Sequence, residues 1–498
     1  MKRPTRTRLP GLCLGSLIAA LPPSACVLAD QDTHLRLNQS IEYRASQQER
    51  ELLKDEVQPP SHLSTLTIDG QTYSVGDNLD DLGSALYLSI RHQQWPLVAH
   101  FLDAYVALPG YDPMLAAYAR GGLARAAGDL GLAEGHYRHL LALQDDFLPG
   151  QLELARVLFE NRKDRESSEA FQHISARFDP SDARAMGVSR SVDSFIEALD
   201  RREAWQGSIA IGPTWSDNLN LSSEDRQVFE FVTDEGILRL ERKLPEAVSA
   251  TGLDFEGTLN KRIALRGHHG LFIRSLVYGQ SYKDHKQYNE STLISNVGYS
   301  YQNARNQYSL APSFEFNTYG NAAMYGAWGI RGEWQHYLSP TRMLRLEGDY
   351  KEMKYRQEAY AHNDGDASSL YATLWQSLPR GWTLFGGLDI TDRNSEDKAN
   401  AYLQKGVRLG LAKEFESGFS AILFAAYRRR SHDIYSALLE ARREDDEQSY
   451  TFILNAQRLA LYGITPSLTL KYNKVASNVD WLYSHERNSV SLKLERQF

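Results

Sequence analysis

Ser489-Val490-Ser491-Leu492-Lys493-Leu494-Glu495-Arg496-Gln497-Phe498 ends the chain with a period of two: Val490, Leu492 and Leu494 share one face, and Ser491, Lys493 and Glu495 the other. Successive side chains of an extended strand point to opposite faces, so this is a strand with one apolar and one polar surface. A half-buried strand of a soluble sheet would read the same way. What separates the two cases is how often the pattern recurs and how its copies are joined.

Working back to Trp205, we find fourteen such segments: 206 to 216, 251 to 265, 268 to 282, 291 to 302, 306 to 318, 323 to 338, 342 to 356, 368 to 378, 381 to 391, 401 to 415, 418 to 431, 448 to 459, 463 to 475 and 486 to 498. In one, Leu344, Leu346, Gly348 and Tyr350 oppose Arg345, Glu347, Asp349 and Lys351; in another, Leu468, Leu470 and Tyr472 oppose Thr469 and Lys471. Tight turns at Gln302 to Asn306, Leu338 to Arg342, Leu378 to Gly381 and Phe415 to Gly418 alternate with long polar connections, including Asp217 to Ala250 and His432 to Glu447. An even number of strands with short turns at one end and long loops at the other predicts an antiparallel transmembrane β-barrel. Trp334, Tyr337, Trp382, Tyr427 and Tyr450 near strand ends suit its interfacial girdles, although ordinary sheet packing would also use them. The aromatic end at Phe498 resembles the signal by which barrel-assembly machinery recognises its clients, which makes that machinery and outer-membrane lipid expected partners.

The other end of the chain points to the same compartment. Lys2, Arg3, Arg6 and Arg8 precede an apolar stretch from Leu9 to Leu21, then Pro22-Pro23 and Val27-Leu28-Ala29, which predicts a signal peptide over 1–29, cleaved after Ala29. Both cysteines, Cys13 and Cys26, fall inside it, so disulfides and thiol chemistry are excluded from the mature chain; a lipidated Cys26 is the rival reading. Of 55 basic residues, 51 remain against 63 acidic ones, a balance of −12 that offers no basic face to nucleic acid. Mean hydropathy is −0.47 and no apolar run after the leader reaches the length of a helical span. Alternating barrel strands never need one.

Residues 30–79 read as a polar, loosely packed lead-in, with a small hairpin around Asp69-Gly70. Over 80–204 the period becomes helical: Leu115, Tyr118, Ala119, Gly122 and Ala126 trace one stripe, and Leu152, Ala155, Leu158 and Phe159 another. Gly121, Gly128, Ala133, Tyr137 and Leu140 stand at the offsets of a tetratricopeptide repeat, with one further degenerate unit on each side, from Ala85 to Phe101 and from Ala155 to Ile174. The fold expected is therefore an α + β membrane protein: an N-terminal tetratricopeptide-like helical repeat domain in the periplasm, and a C-terminal 14-stranded antiparallel transmembrane β-barrel over 205–498. A helical stack of this kind offers a concave groove to an extended peptide or a partner domain, or else simply props up the barrel. Tyr87, Trp95, Tyr118, Arg120 and Arg125 are the candidates for that groove, with Tyr137 assigned to the core.

No catalytic spacing, cofactor motif or phosphate loop is present, so the reading is of a protein that is not an enzyme and carries no cofactor. Asp364-Gly365-Asp366 has oxygens suited to calcium but reads as a turn, and no metal is expected. Arg428-Arg429-Arg430 and the charges from Arg442 to Glu447 flank a long loop, where they would be solvated, touch lipopolysaccharide phosphates or recognise a cargo. Asn218 and Asn220, at the outer end of the first strand, would order or gate the first loop, or act only as turn formers.

Asp81-Leu82-Gly83-Ser84-Ala85-Leu86-Tyr87, Leu154-Ala155-Arg156-Val157-Leu158-Phe159-Glu160, Gly212-Pro213-Thr214-Trp215-Ser216-Asp217-Asn218-Leu219-Asn220, Gly463-Ile464-Thr465-Pro466 and Tyr483-Ser484-His485-Glu486-Arg487-Asn488 are stretches in which the chain resembles the surface lipoprotein assembly modulator (Slam) family. Their order covers nearly the whole mature chain. The resemblance implies an outer-membrane translocator of type XI secretion. Its cargo would be a surface lipoprotein or a soluble secreted relative, in many cases one that acquires iron or haem, caught by the periplasmic repeats and passed through the lumen or a seam between first and last strands. An exopolysaccharide exporter also joins such repeats to a barrel but usually carries more of them, and a passive channel would leave the helical domain without a role.

Overall fold

A backbone crossing hydrocarbon must satisfy every N–H and C=O within itself, which strands do only by closing on one another. In the computed structural model, which describes residues 32–37, 65–68, 71–178, 186–233, 236–436 and 439–498, a helical turn α1 (residues 32–37) and a hairpin of β1 (Thr65–Ile68) and β2 (Gln71–Ser74) precede the helices. Those are α2 (Leu79–Arg91), α3 (Trp95–Val106), α4 (Pro113–Ala126), α5 (Leu130–Leu143), α6 (Leu148–Glu160), α7 (Asp164–Ser175) and α8 (Met186–Glu203). The leader expected over 1–29 lies outside the described residues.

Next come β3 (Gln206–Ser216), a hairpin of β4 (Arg226–Thr233) and β5 (Gly236–Lys243), then β6 (Ala250–Ala264), β7 (His269–Ser281), β8 (Glu290–Gln302), β9 (Asn306–Tyr319), β10 (Ala322–Ser339), β11 (Arg342–Tyr355), β12 (Gly365–Leu378), β13 (Trp382–Arg393), β14 (Tyr402–Phe415), β15 (Phe419–Ser436), β16 (Ala441–Asn455), β17 (Ile464–Ser477) and β18 (His485–Gln497). Apart from β4 and β5, which lie within the first loop, these form one closed barrel of fourteen antiparallel strands, sealed where β18 meets β3. Gly207 N–H donates to the Phe498 carbonyl at 2.9 Å and Phe498 N–H returns a bond to Gly207 at 3.1 Å. The seam ladder lapses opposite Gly212 and Pro213, between the Ile211↔Leu494 and Thr214↔Ser491 pairs. Pro213 has no N–H to contribute.

Polarity runs opposite to that of a soluble sheet. On β11, Arg345 and Glu347 are 1% and 3% exposed, whereas Leu346 and Tyr350 are 38% and 48% exposed. On β18, Ser491 and Lys493 are buried and Leu492 and Leu494 exposed. The polar face of the opening stretch thus lines the lumen, and its apolar face meets lipid.

Two connections differ from the sequence reading. The long loop expected from His432 to Glu447 is mostly strand, since β15 runs on to Ser436 and β16 begins at Ala441. Arg428 is accordingly buried in the lumen rather than solvated, while Arg429 on the outer face pairs with Glu444 at 2.6 Å. On the long-loop side, β9 turns into β10 through Gly320 and Asn321, both at positive φ, a tight hairpin that breaks the regular alternation of connection lengths.

The helices pack as consecutive antiparallel pairs, and the repeat glycine shows why. A Cβ on Gly121 would come within 2.7 Å of the Tyr137 ring, so α4 and α5 approach closely only because that position is bare. Among the described residues the lead-in departs from its reading as a loosely packed segment: Thr33, Leu35 and Leu37 of α1 are buried within the barrel, and Arg428 donates to Asp32. The strands expected to flank Asp69-Gly70 pair as β1 and β2, with Ile68 opposite Gln71, while those two residues lie outside the described ones.

Leu388, near the middle of β13 and 63% exposed, tests the lipid face. Leu388→Arg is expected to cost about 2–4 kcal/mol in urea-dependent folding into vesicles. Glu358→Arg, in an exposed loop, should stay within about 0.5 kcal/mol.

Candidate functional site

The lumen wall is built from charges that the strand period turns inward. Glu333 accepts from Arg274 at 3.1 Å, Arg331 at 2.8 Å and Arg345 at 3.0 Å, and Glu347 pairs with Arg331 and, at 3.3 Å, with Arg345. Farther round, Arg408 and Arg428 share Asp389 at 3.0 and 3.3 Å, and Lys493 bridges Asp254 and Glu256 at 3.4 and 2.8 Å. Removing one member of such a cluster leaves an uncompensated buried charge, so the ions hold one another in place. The sequence reading recorded the alternation of Arg345 and Glu347 but not their partners Arg331 and Glu333, which lie on β10.

The helical domain presents a second polar surface at the short-turn end of the barrel. Asp164, at the start of α7, accepts from Arg202 of α8 at 2.6 Å and from Arg262 of β6 at 3.1 Å, while Gly267 N–H in the following turn donates to Glu166 at 2.7 Å. Only Ala204 and Trp205 separate α8 from β3, and Lys261 sits 5.2 Å over the Trp205 ring. The stack is thereby fixed at the barrel mouth.

Of the residues read as groove candidates, three come together. Tyr87 is 51% exposed on α2, Tyr118 lies beside it on α4, packed edge-on to Tyr137 and Phe147, and Arg125 is one α4 face along. Burial, then the nearby Glu153 carboxylate and Tyr87, push the Tyr118 hydroxyl above its usual range, which keeps it a neutral donor. Arg125 is not a free cation, because it binds Glu160 at 2.5 Å and Glu153 at 3.1 Å across to α6. Arg120 is exposed near His136 on α5, and Trp95 packs over Gly122, so neither joins the cluster.

At the opposite end, Asn218 donates to the carbonyls of Ser222 and Glu486, both at 2.9 Å, and accepts from Ser222 N–H. Asn220 donates to Glu246 and accepts from Val248, both at 2.9 Å. The two amides tie the start of the first loop to its end and to the last strand. No group of metal-ligating side chains occurs among the described residues.

The family described as surface lipoprotein assembly modifier matches residues 205–498, and its N-terminal tetratricopeptide repeats match residues 71–171. The chain is 42% identical over 495 residues to the hemophilin secretion modulator of Acinetobacter baumannii, covering 97% of this chain and 99% of that one. It is 28% identical to surface lipoprotein assembly modifier 1 of Haemophilus influenzae over 80% of each chain, and 26% identical to that of Neisseria meningitidis over 87% and 86%.

Glu134 makes the helical stack sensitive to acid. Burial alone would raise its carboxyl, but hydrogen bonds from Lys163 and Arg138 outweigh that and hold it below the usual carboxylate range. A depressed folded-state value contributes stability above the unfolded value of about 4.3, and that contribution is lost as pH falls through the folded one. The thermal midpoint of the helices should therefore drop below about pH 4, and Glu134→Gln should flatten that drop while lowering the midpoint at pH 7.

Proposed function

The chain belongs to the surface lipoprotein assembly modifier family, and from that premise we propose that it delivers a cargo protein across the outer membrane. The cargo is a surface lipoprotein or a secreted relative, and the name of the Acinetobacter baumannii relative, a hemophilin secretion modulator, favours one that acquires haem or iron. The observation that carries the proposal is the placement of an exposed helical surface, anchored by Asp164 and Glu166, at the mouth of a barrel lined with paired ions.

In this reading residues 1–29 are a leader, 30–79 a lead-in, 80–204 the periplasmic domain and 205–498 the barrel, inserted by barrel-assembly machinery into outer-membrane lipid. Tyr87, Tyr118 and the Arg125 clamp receive an extended cargo segment. Trp95 supports that face from below, and Arg120 steers cargo by charge. Asn218 and Asn220 order the first loop above the exit. The lumen is the route, because its charged lining can exchange partners with a polar chain while the lipid-facing wall is predominantly apolar. The act is transport without bond-making, so the protein is not an enzyme; cargo folding outside, or partner machinery, supplies the drive.

The test is co-expression with a candidate cargo encoded beside it, with protease added to intact cells. Cargo should be degraded only when this chain is present. Equal surface exposure without it, or loss of polysaccharide with surface proteins unchanged, would overturn the proposal. Alanine at both Tyr87 and Tyr118 is expected to reduce cargo co-purification with the full chain at least fivefold while leaving barrel folding intact.

A further inference from the structure

We propose that α1 is a plug: the chain closes its own lumen with residues 32–37, and this segment must leave before anything large can pass. Six residues reach much of the inner circumference. Asp32 accepts from Arg428 on β15 and from Ser449 on β16, Lys471 on β17 donates to Thr33 at 2.9 Å, and Arg36 pairs with Glu256 on β6. Leu37 is 4% exposed and packs with Leu276, Tyr278 and Ile294 from β7 and β8. His34 lies within electrostatic reach of Arg331, Glu333 and Arg345 on β10 and β11.

Two features mark the fit as a built one. The acid of α1 lands on the wall where Arg408 and Arg428 share Asp389, and its base lands on the wall where Asp254 and Glu256 share Lys493, so each end meets the opposite charge. The inward apolar group of Leu276, Tyr278 and Ile294 would be costly in a water-filled channel and is covered by Leu37. Beside α1 lies a cavity of about 250 Å³ that Leu219 and Leu221 of the first loop also line.

A plug in this position closes the fourteen-stranded barrel to leakage while no cargo is engaged. Because its contacts are ion pairs, hydrogen bonds and the two buried leucines Leu35 and Leu37, a charged segment entering from the helical domain can compete for Arg428 and Glu256 one contact at a time. Release need not unfold the wall.

Conductance reads the plug without any cargo, so its outcome is separable from that of the translocator proposal. The full mature chain, the Asp32→Ala/Arg36→Ala double variant and a deletion of residues 32–37 are inserted in planar bilayers, each first shown to be a folded barrel by its heat-modifiable gel mobility. The unaltered chain should stay closed for most of the record. The double variant should raise mean current at least tenfold, and a synthetic peptide spanning residues 30–40 should block the deletion variant. If the deletion does not fold, the double variant alone decides. Free conduction by the unaltered chain, or no increase in a folded double variant, would overturn the plug.

Discussion

The structure depends on one constraint: within hydrocarbon no backbone N–H or C=O can be left without a partner. That forces the strands to close, and closure makes the first strand pair with the last, through Gly207 and Phe498 and on to Ser216 and Ser489. Once the sheet is closed, the strand period sorts side chains between lipid and lumen. Most leucines go outward, and the arginines and glutamates of the wall clusters go inward, where the low dielectric makes each charge require an opposite one. The clusters around Glu333, Asp389 and Lys493 are thus consequences of closure, and they give the lumen its capacity to hold a charged peptide.

Two carboxylates, Asp164 and Glu166, link this wall to the helical stack. Asp164 is 4% exposed and joins α7, α8 and β6 through Arg202 and Arg262, so the orientation of the repeats over the mouth rests on a buried ion triad rather than on the two-residue link before β3. Glu134, Lys163 and the Arg125 clamp continue that logic up the stack. The exposed Tyr87 then sits on a stack whose later helices are cross-linked by these ion pairs.

Much of this was legible in the sequence because its carriers are local. Strict alternation such as Leu344 to Lys351 fixes which side chain faces lipid, and a bare Gly121 opposite Tyr137 is a contact between adjacent helices at fixed spacing. What escaped the sequence is non-local or too short to show a period. Arg274 and Glu333 lie 59 positions apart, and nothing in either neighbourhood announces the pair. Six residues from Asp32 to Leu37 make under two turns of helix, so they read as part of a polar lead-in; only the walls that receive them give them meaning. Arg428 was visible as part of a basic run near the end of the 418–431 segment, but the charges beyond it read as a loop, which hid the extension of β15 to Ser436 and of β16 from Ala441 that encloses it.

The central claim is that cargo passes inside this barrel after meeting the helical domain. Thr373 and Leu374 are neighbours on β12, the first 1% exposed in the lumen and the second 46% exposed to lipid. A photo-reactive residue placed at Tyr87, at Thr373 or at Leu374, with a cargo stalled in transit, tests the claim directly. Adducts should form from Tyr87 and Thr373 and not from Leu374; adducts from Leu374 with none from Thr373 would contradict the account.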